Sequence, residues 1–202
     1  MKLSVLIPVW NQEDLVIKAL DHLPRRDDIE VLVCDDGSTD HTLERLSRYS
    51  MPNLTVLSNW DNKGVAYTKN RLLEMATGEY FHIHDSDDYV NTNLYNDLVD
   101  MIAKFYTFDI ICMDLVVNSG QIYHLTPQTQ RTYCAQIARF ISKDFARGLK
   151  FPEDIRAGDD GYFAEDLMRR NPRILYTGIP AYRYNYPREG SLCDLRLKGV
   201  LP

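Results

Sequence analysis

The segment His84-Asp85-Ser86-Asp87-Asp88 packs three carboxylates into four residues, directly after the apolar and aromatic run Tyr80-Phe81-His82-Ile83. Adjacent carboxylates repel one another, so a cluster of them at a strand end calls for a cation to neutralise it. Hard oxygen donors of this kind suit Mg2+ or Mn2+. A calcium loop of the EF-hand kind would need Gly at its sixth position and Glu at its twelfth, where Val90 and Asn96 stand. A second acidic cluster, Asp35-Asp36-Gly37-Ser38-Thr39-Asp40, also follows an apolar run, which points to two strand ends meeting at one crevice. A third pair, Asp159-Asp160, opens a helical pattern, where either residue could serve as a proton acceptor or simply cap the helix.

The elements that must position these groups follow from periodicity. Residues 3–8, 29–34, 54–57 and 80–84 read as strands, the second of them apolar and β-branched throughout, as buried parallel strands are. Helical spacing follows the first strand at Leu15, Ala19 and Leu20, and the second at Leu43 and Leu46, with Ser38 or Asp40 as the cap. A third helix spans residues 65–76 and is closed by Gly78. Strands alternating with helices imply a largely parallel sheet covered on both faces, with ligands at the carboxyl ends of its strands. The loops at Pro8-Val9-Trp10-Asn11, Asp35-Asp36 and Asp85-Asp88 all fall on that rim.

Beyond residue 90 the pattern loosens to mixed α+β. A helix is expected over 94–105, strands over 109–117 and 121–125 joined by Asn118-Ser119-Gly120, a helix over 160–170, and strands over 174–177 and 181–184. His82 and His84 share one face of a strand and read as packed core histidines. We expect one domain over 1–202 with two functional halves, 1–90 and 91–202.

The net charge of -6 argues against nucleic acid as a partner, and no stretch is long and apolar enough to span a membrane. Four cysteines without a C-x-x-C pair signal neither a zinc site nor a redox dithiol, and the absence of a signal peptide leads to the expectation of a cytoplasmic location. A G-x-G-x-x-G or Walker-type phosphate loop is missing, so a bound diphosphate would need a metal and basic side chains instead.

Four blocks together resemble the inverting family-2 glycosyltransferases of the GT-A (Rossmann-like) fold. They are Val5-Leu6-Ile7-Pro8-Val9-Trp10-Asn11; Cys34-Asp35-Asp36-Gly37-Ser38-Thr39-Asp40; Asn62-Lys63-Gly64 through Lys69-Asn70 into Asp85-Ser86-Asp87, a D-x-D motif; and Gly158-Asp159-Asp160, followed by Arg188-Glu189-Gly190-Ser191. The resemblance implies transfer of a sugar, a hexose foremost, from a nucleoside-diphosphate sugar, UDP-sugar first, to a hydroxyl of a glycan, lipid-linked or other acceptor, with inversion.

In that reading Asp36 binds the base or ribose, Asp85 the ribose, Asp87 the metal, and Asp160 is the general base. Pro8, Val9, Asn11, Ser86, Arg188 and Ser191 line the donor. Lys69 is counted with them, with a solvated helix face as its alternative. The family pair is usually Glu-Asp, so Asp159 departs from it. A non-catalytic sugar-nucleotide-binding module and a sugar-phosphate nucleotidyltransferase are the competing classes, the latter expected to open with a glycine-rich loop that this chain lacks. The end of the chain at Pro202 suggests that a partner subunit or a second copy in a homo-oligomer completes the acceptor side.

Overall fold

A computed structural model describes residues 2–104, 107–129, 136–155, 158–186 and 188–189. Strand β1 (Leu3–Val9) is buried at all seven positions, consistent with its central place in a parallel sheet. Helix α1 (Leu15–His22) buries Val16, Ala19 and Leu20, and the chain returns through β2 (Ile29–Asp35), α2 (Thr42–Arg48) and β3 (Leu54–Ser58). Helix α3 (Val65–Met75) then crosses back, and β4 (Tyr80–Ile83) pairs with β1 on the side opposite β2. The strand order therefore reverses at β1, and such a switch point opens a crevice at the carboxyl ends of the flanking strands. This reversal brings the turns after β1, β2 and β4 to one rim.

The short β5 (Tyr89–Val90) leads into α4 (Thr92–Ile102), whose N-cap Asn91 accepts a hydrogen bond from the Leu94 backbone at 3.2 Å. The stretch expected as one strand over 109–117 is two strands in two sheets. Strand β6 (Ile110–Cys112) joins the large sheet, and β7 (Leu115–Val117) joins a small one with β8 (Ile122–Tyr123). The break falls at the buried Asp114, which accepts from the Leu125 backbone at 3.0 Å and pairs with His124 at 2.5 Å, so the chain turns to satisfy it.

Strand β9 (Arg139–Ser142) inserts antiparallel between β4 and β6, and it had no signal in the sequence because a charged residue opens a four-residue run. Helix α5 (Asp159–Arg169), β10 (Ile174–Tyr176) and β11 (Tyr182–Tyr184) are the last elements among the described residues. The large sheet runs β10-β6-β9-β4-β1-β2-β3 and the small one β5-β11-β7-β8. The α/β class and the mostly parallel central sheet are as expected. His82 and His84 are core residues, as expected, and burial lowers their pKa values to about 3 and about 4. No described helix is long and apolar enough to cross a membrane.

At the end of the sheet away from the rim, Glu30 fastens β2 to the entry of β4. Its carboxylate accepts from the Ser4 hydroxyl, from the Thr77 backbone and hydroxyl at 2.5 and 2.7 Å, and from the Gly78 backbone at 3.0 Å, and it pairs with Lys2 at 3.0 Å. Only glycine fits at 78, since a Cβ there would lie 2.6 Å from Ser4 Oγ and 2.7 Å from the Lys2 carbonyl. Burial opposes ionisation of Glu30, yet the bonds from Ser4, Thr77 and Lys2 prevail and hold its pKa at about 2, against 4.5 ordinarily. A folded-state pKa below the unfolded value gives stability above the unfolded pKa that is lost as pH falls through the folded one. Glu30→Gln is therefore expected to cost about 2 kcal/mol near neutrality, or roughly 4–8 °C in Tm. Melts at descending pH should show the difference shrinking between pH 4.5 and about 2; an unchanging difference would show that charge is not what Glu30 contributes.

Candidate active site

The turn after β2 is built around Gly37, at φ 68°, where a Cβ would lie 2.5 Å from the Asp61 carbonyl carbon and 2.7 Å from the Asn62 nitrogen. Backbone thus packs directly on backbone. Asp36 secures the contact. Its Oδ1 accepts from Asn59 Nδ2 at 2.7 Å and the Lys63 backbone at 3.0 Å, and its Oδ2 from the Gly64 backbone at 2.8 Å. Asn11, also at positive φ, donates its backbone N–H to Ser38 Oγ at 2.9 Å, and its Oδ1 accepts from the Thr39 backbone at 2.8 Å. Pro8 and Val9 lie buried in β1 beside Cys34 and Asp35. These residues shape one side of the crevice, with Asp36 and Asn11 spending most of their bonding capacity on the protein itself. Asp35, left out of the ligand set on sequence, is buried with its Oδ1 unpartnered.

Across the crevice, one carboxylate oxygen from each of Asp85, Asp87 and Asp88 lies within 4.8 Å of the others. Ser86 is buried between them in sequence. The small sheet anchors this turn. Tyr182 OH donates to Asp88 Oδ2 at 2.8 Å, the Asn185 backbone donates to Asp88 Oδ1 at 2.8 Å, and the Asp85 backbone donates to Tyr182 OH at 3.3 Å. Burial first, then the charges of Asp87, Asp160 and Asp159 against the opposing Lys69, push the Asp85 carboxyl up to about 7. Asp88 is raised as well, by burial and by Asp85 and Asp87. Arg188 Nε donates to Asp87 Oδ2 at 2.7 Å, bringing a cation from the C-terminal segment to the acidic turn. Ser191 lies outside the described residues.

The proposed base sits on α5. Gly158, in the left-handed region at φ 90°, precedes the helix, and no side chain caps it. Capping is therefore not the role of Asp159 or Asp160. Lys69 of α3 reaches both, at 2.8 Å to Asp159 Oδ2 and 2.6 Å to Asp160 Oδ1. Lys69 is buried, so it does not lie on a solvated helix face, and its ammonium is engaged with the two acids. The Asp159 side chain keeps 6% of its surface and that of Asp160 keeps 32%. Asp160 is the accessible one.

Residues 4–164 match the sequence pattern described as glycosyl transferase family 2. The chain belongs to that family. Among its relatives are a poly(ribitol-phosphate) β-glucosyltransferase of Bacillus spizizenii, 37% identical over 94% of this chain and 33% of its own length, and the poly(ribitol-phosphate) β-N-acetylglucosaminyltransferase TarS of Staphylococcus aureus, 29% identical over 94% of this chain and 36% of its own. The chain thus spans about a third of the length of these curated relatives. A crystal structure of S. aureus TarS 1–349 with UDP-GlcNAc superposes with a TM-score of 0.79 at 25% identity, covering 95% of this chain and 60% of that one. A mannosyltransferase of Pyrobaculum calidifontis, solved with GDP-Man and Mn2+, superposes at 0.72 with 22% identity, over 94% of this chain and 58% of that one. The family-2 chain has the GT-A fold that the resemblance implied.

Proposed function

We propose that this family-2 chain transfers a hexose or N-acetylhexosamine from a UDP-sugar to an acceptor hydroxyl, with inversion at the anomeric carbon. The observation that carries the reading is the pairing of an acidic turn, Asp85 to Asp88, with an accessible carboxylate at Asp160 across one crevice of a GT-A fold. The UDP-sugar donor is supported by the likeness to TarS solved with UDP-GlcNAc. The two poly(ribitol-phosphate) transferases among the relatives favour a hydroxyl of a polyol-phosphate polymer as acceptor. Residues 1–90 form the donor half and 91–202 the acceptor half of one unit, acting in the cytoplasm where the cell makes its nucleotide sugars.

The donor set fits a divalent cation. Asp88 spends both oxygens on Tyr182 and Asn185, whereas Asp87 has oxygen ligands to offer, and one carboxylate oxygen from each of Asp85, Asp87 and Asp88 lies within 4.8 Å of the others. Asp87 would hold Mn2+ or Mg2+, which when bound offsets the charge of the departing diphosphate. Arg188 adds a cation on the same side. Asp85 and the Asp36 turn hold the ribose and base. Asp160 takes the proton of the acceptor hydroxyl as its oxygen attacks the anomeric carbon, and the carbon–oxygen bond to the diphosphate breaks with its electron pair. Attack opposite the leaving group inverts the centre.

Release of UDP from UDP-glucose and UDP-N-acetylglucosamine, assayed with Mn2+ and a polyol-phosphate acceptor, tests the reading. Acceptor-dependent UDP release is expected with at least one donor. Binding of UDP without release from any donor would favour the non-catalytic module, and neither binding nor release would overturn the proposal.

A further inference from the structure

Lys69 and Asn70 are neighbours on α3, and both face inward with their polar groups buried. A buried helix face made of Lys and Asn is costly unless every group is matched. Here the match is to one segment of chain. Asn70 accepts from the Phe151 backbone at 2.8 Å, donates to its carbonyl at 2.9 Å, and donates to Glu153 Oε1 at 2.8 Å. The Lys69 ammonium lies 5.0 Å from the Phe151 ring centroid and bonds Asp159 and Asp160. Phe151 in turn stacks on Phe163 of α5, with centroids 4.1 Å apart. Helix α3 therefore clamps the segment before α5 and the first turn of α5 itself.

We propose that Lys69 is the positioning residue of the catalytic base: its ammonium orients the Asp160 carboxylate and offsets the charge of Asp159, leaving one of two adjacent acids available to take the acceptor proton. The inference rests on the reading of Asp160 as base. Two neighbouring carboxylates without a cation cannot both stay ionised in a part-buried site, so one would hold a proton and be useless as a base. The groups facing Asp160 are Lys69 from α3, Asp159 on its own helix, Asp85 from the turn after β4, and Arg139 from β9. All four carry charge, and Lys69 is the one of them that bonds both acids. Burial acts to strip the Lys69 proton, and the charges of Asp160, Asp159 and Asp85 outweigh it, so the ammonium stays charged.

The test is kinetic and compares Lys69→Met, Lys69→Arg and the double variant Lys69→Met/Asp159→Asn. Transfer is followed from about pH 5.5 to 9, with UDP affinity measured alongside in Mn2+. For Lys69→Met, kcat is expected to fall about 100-fold at neutral pH, with the acid limb of its pH profile moved upward by about a unit or more. The donor KM and UDP affinity should stay within about threefold of wild type, less than the loss of one charged bond would cost. Lys69→Arg should recover most of the rate. The double variant removes one negative charge along with the positive one, so it should return the limb toward its original place and be faster than Lys69→Met; it also serves where the single variant does not fold. A raised donor KM with an unmoved limb would make Lys69 a donor ligand and overturn the proposal. A double variant no faster than Lys69→Met would reduce the residue to a structural tie. If Asp160→Asn keeps its activity, the base reading itself fails, whereas loss in Asp160→Asn with wild-type behaviour in Lys69→Met sinks only this inference.

Discussion

Asp160→Asn is expected to fold, to bind UDP with Mn2+ as wild type does, and to transfer sugar about 10²–10⁴-fold more slowly. The amide keeps an acceptor oxygen for Lys69, 2.6 Å away, so the clamp between α3 and α5 survives. No cap is lost, because neither Asp159 nor Asp160 caps the helix. What disappears is the site that takes the proton. Asp159→Asn should slow transfer by less, since that side chain is buried against Lys69 and keeps little surface for an acceptor. Burial, with Asp159 adding to it and Lys69 and Arg139 opposing, raises the Asp160 carboxyl above the usual range, so the rate should climb with pH as it deprotonates. Steady-state rates at saturating donor and acceptor decide the matter. A rate within a few-fold of wild type for Asp160→Asn would remove the base from α5.

Asp87→Ala should abolish most of the thermal stabilisation that UDP confers in Mn2+. A ligand at 100 times its Kd adds about 2.7 kcal/mol, which for a chain of this size is roughly 5–10 °C. Two effects of opposite sign meet at Asp87. Its removal takes a ligand from the metal, yet it also frees Arg188, now bonded to it at 2.7 Å, to approach the diphosphate. The metal contribution should dominate, because one guanidinium cannot match a divalent charge beside the phosphates. Chelator added to wild type should reproduce the variant. Full stabilisation by UDP in chelator would show that Arg188 and its neighbours suffice and that the acidic turn holds no metal.

The strands and helices of the first ninety residues were legible because each has a strong period and clear punctuation. Strand β1 is a run of buried residues before a loop, and α1 places Val16, Ala19 and Leu20 on one face. The later half was less so. β6 and β7 lie in a stretch that is apolar except at Asp114, and the satisfaction of that buried carboxylate divides them between two sheets. β9 is set by its neighbours β4 and β6, and no local pattern announces it.

The acidic turn, the Asp36 turn, the pair on α5 and the family resemblance were all readable from the chain, because residue type and local spacing are properties of the sequence itself. What bonds what was not. Asp36 and Asn11 carry acceptors in either reading, and it took the packing of residues 59–64 on Gly37 to show that they are bonded within the protein. Lys69 reads as solvent-facing or ligand-facing on a helical wheel, yet burial against α5 pairs it with acids ninety residues and more away. Sequence alone determines which groups exist and in what local order, since covalent spacing and periodicity are properties of a segment. The partners of a charge are decided by which segments the sheet order brings together, and the reversal of strand order at β1 is a tertiary fact.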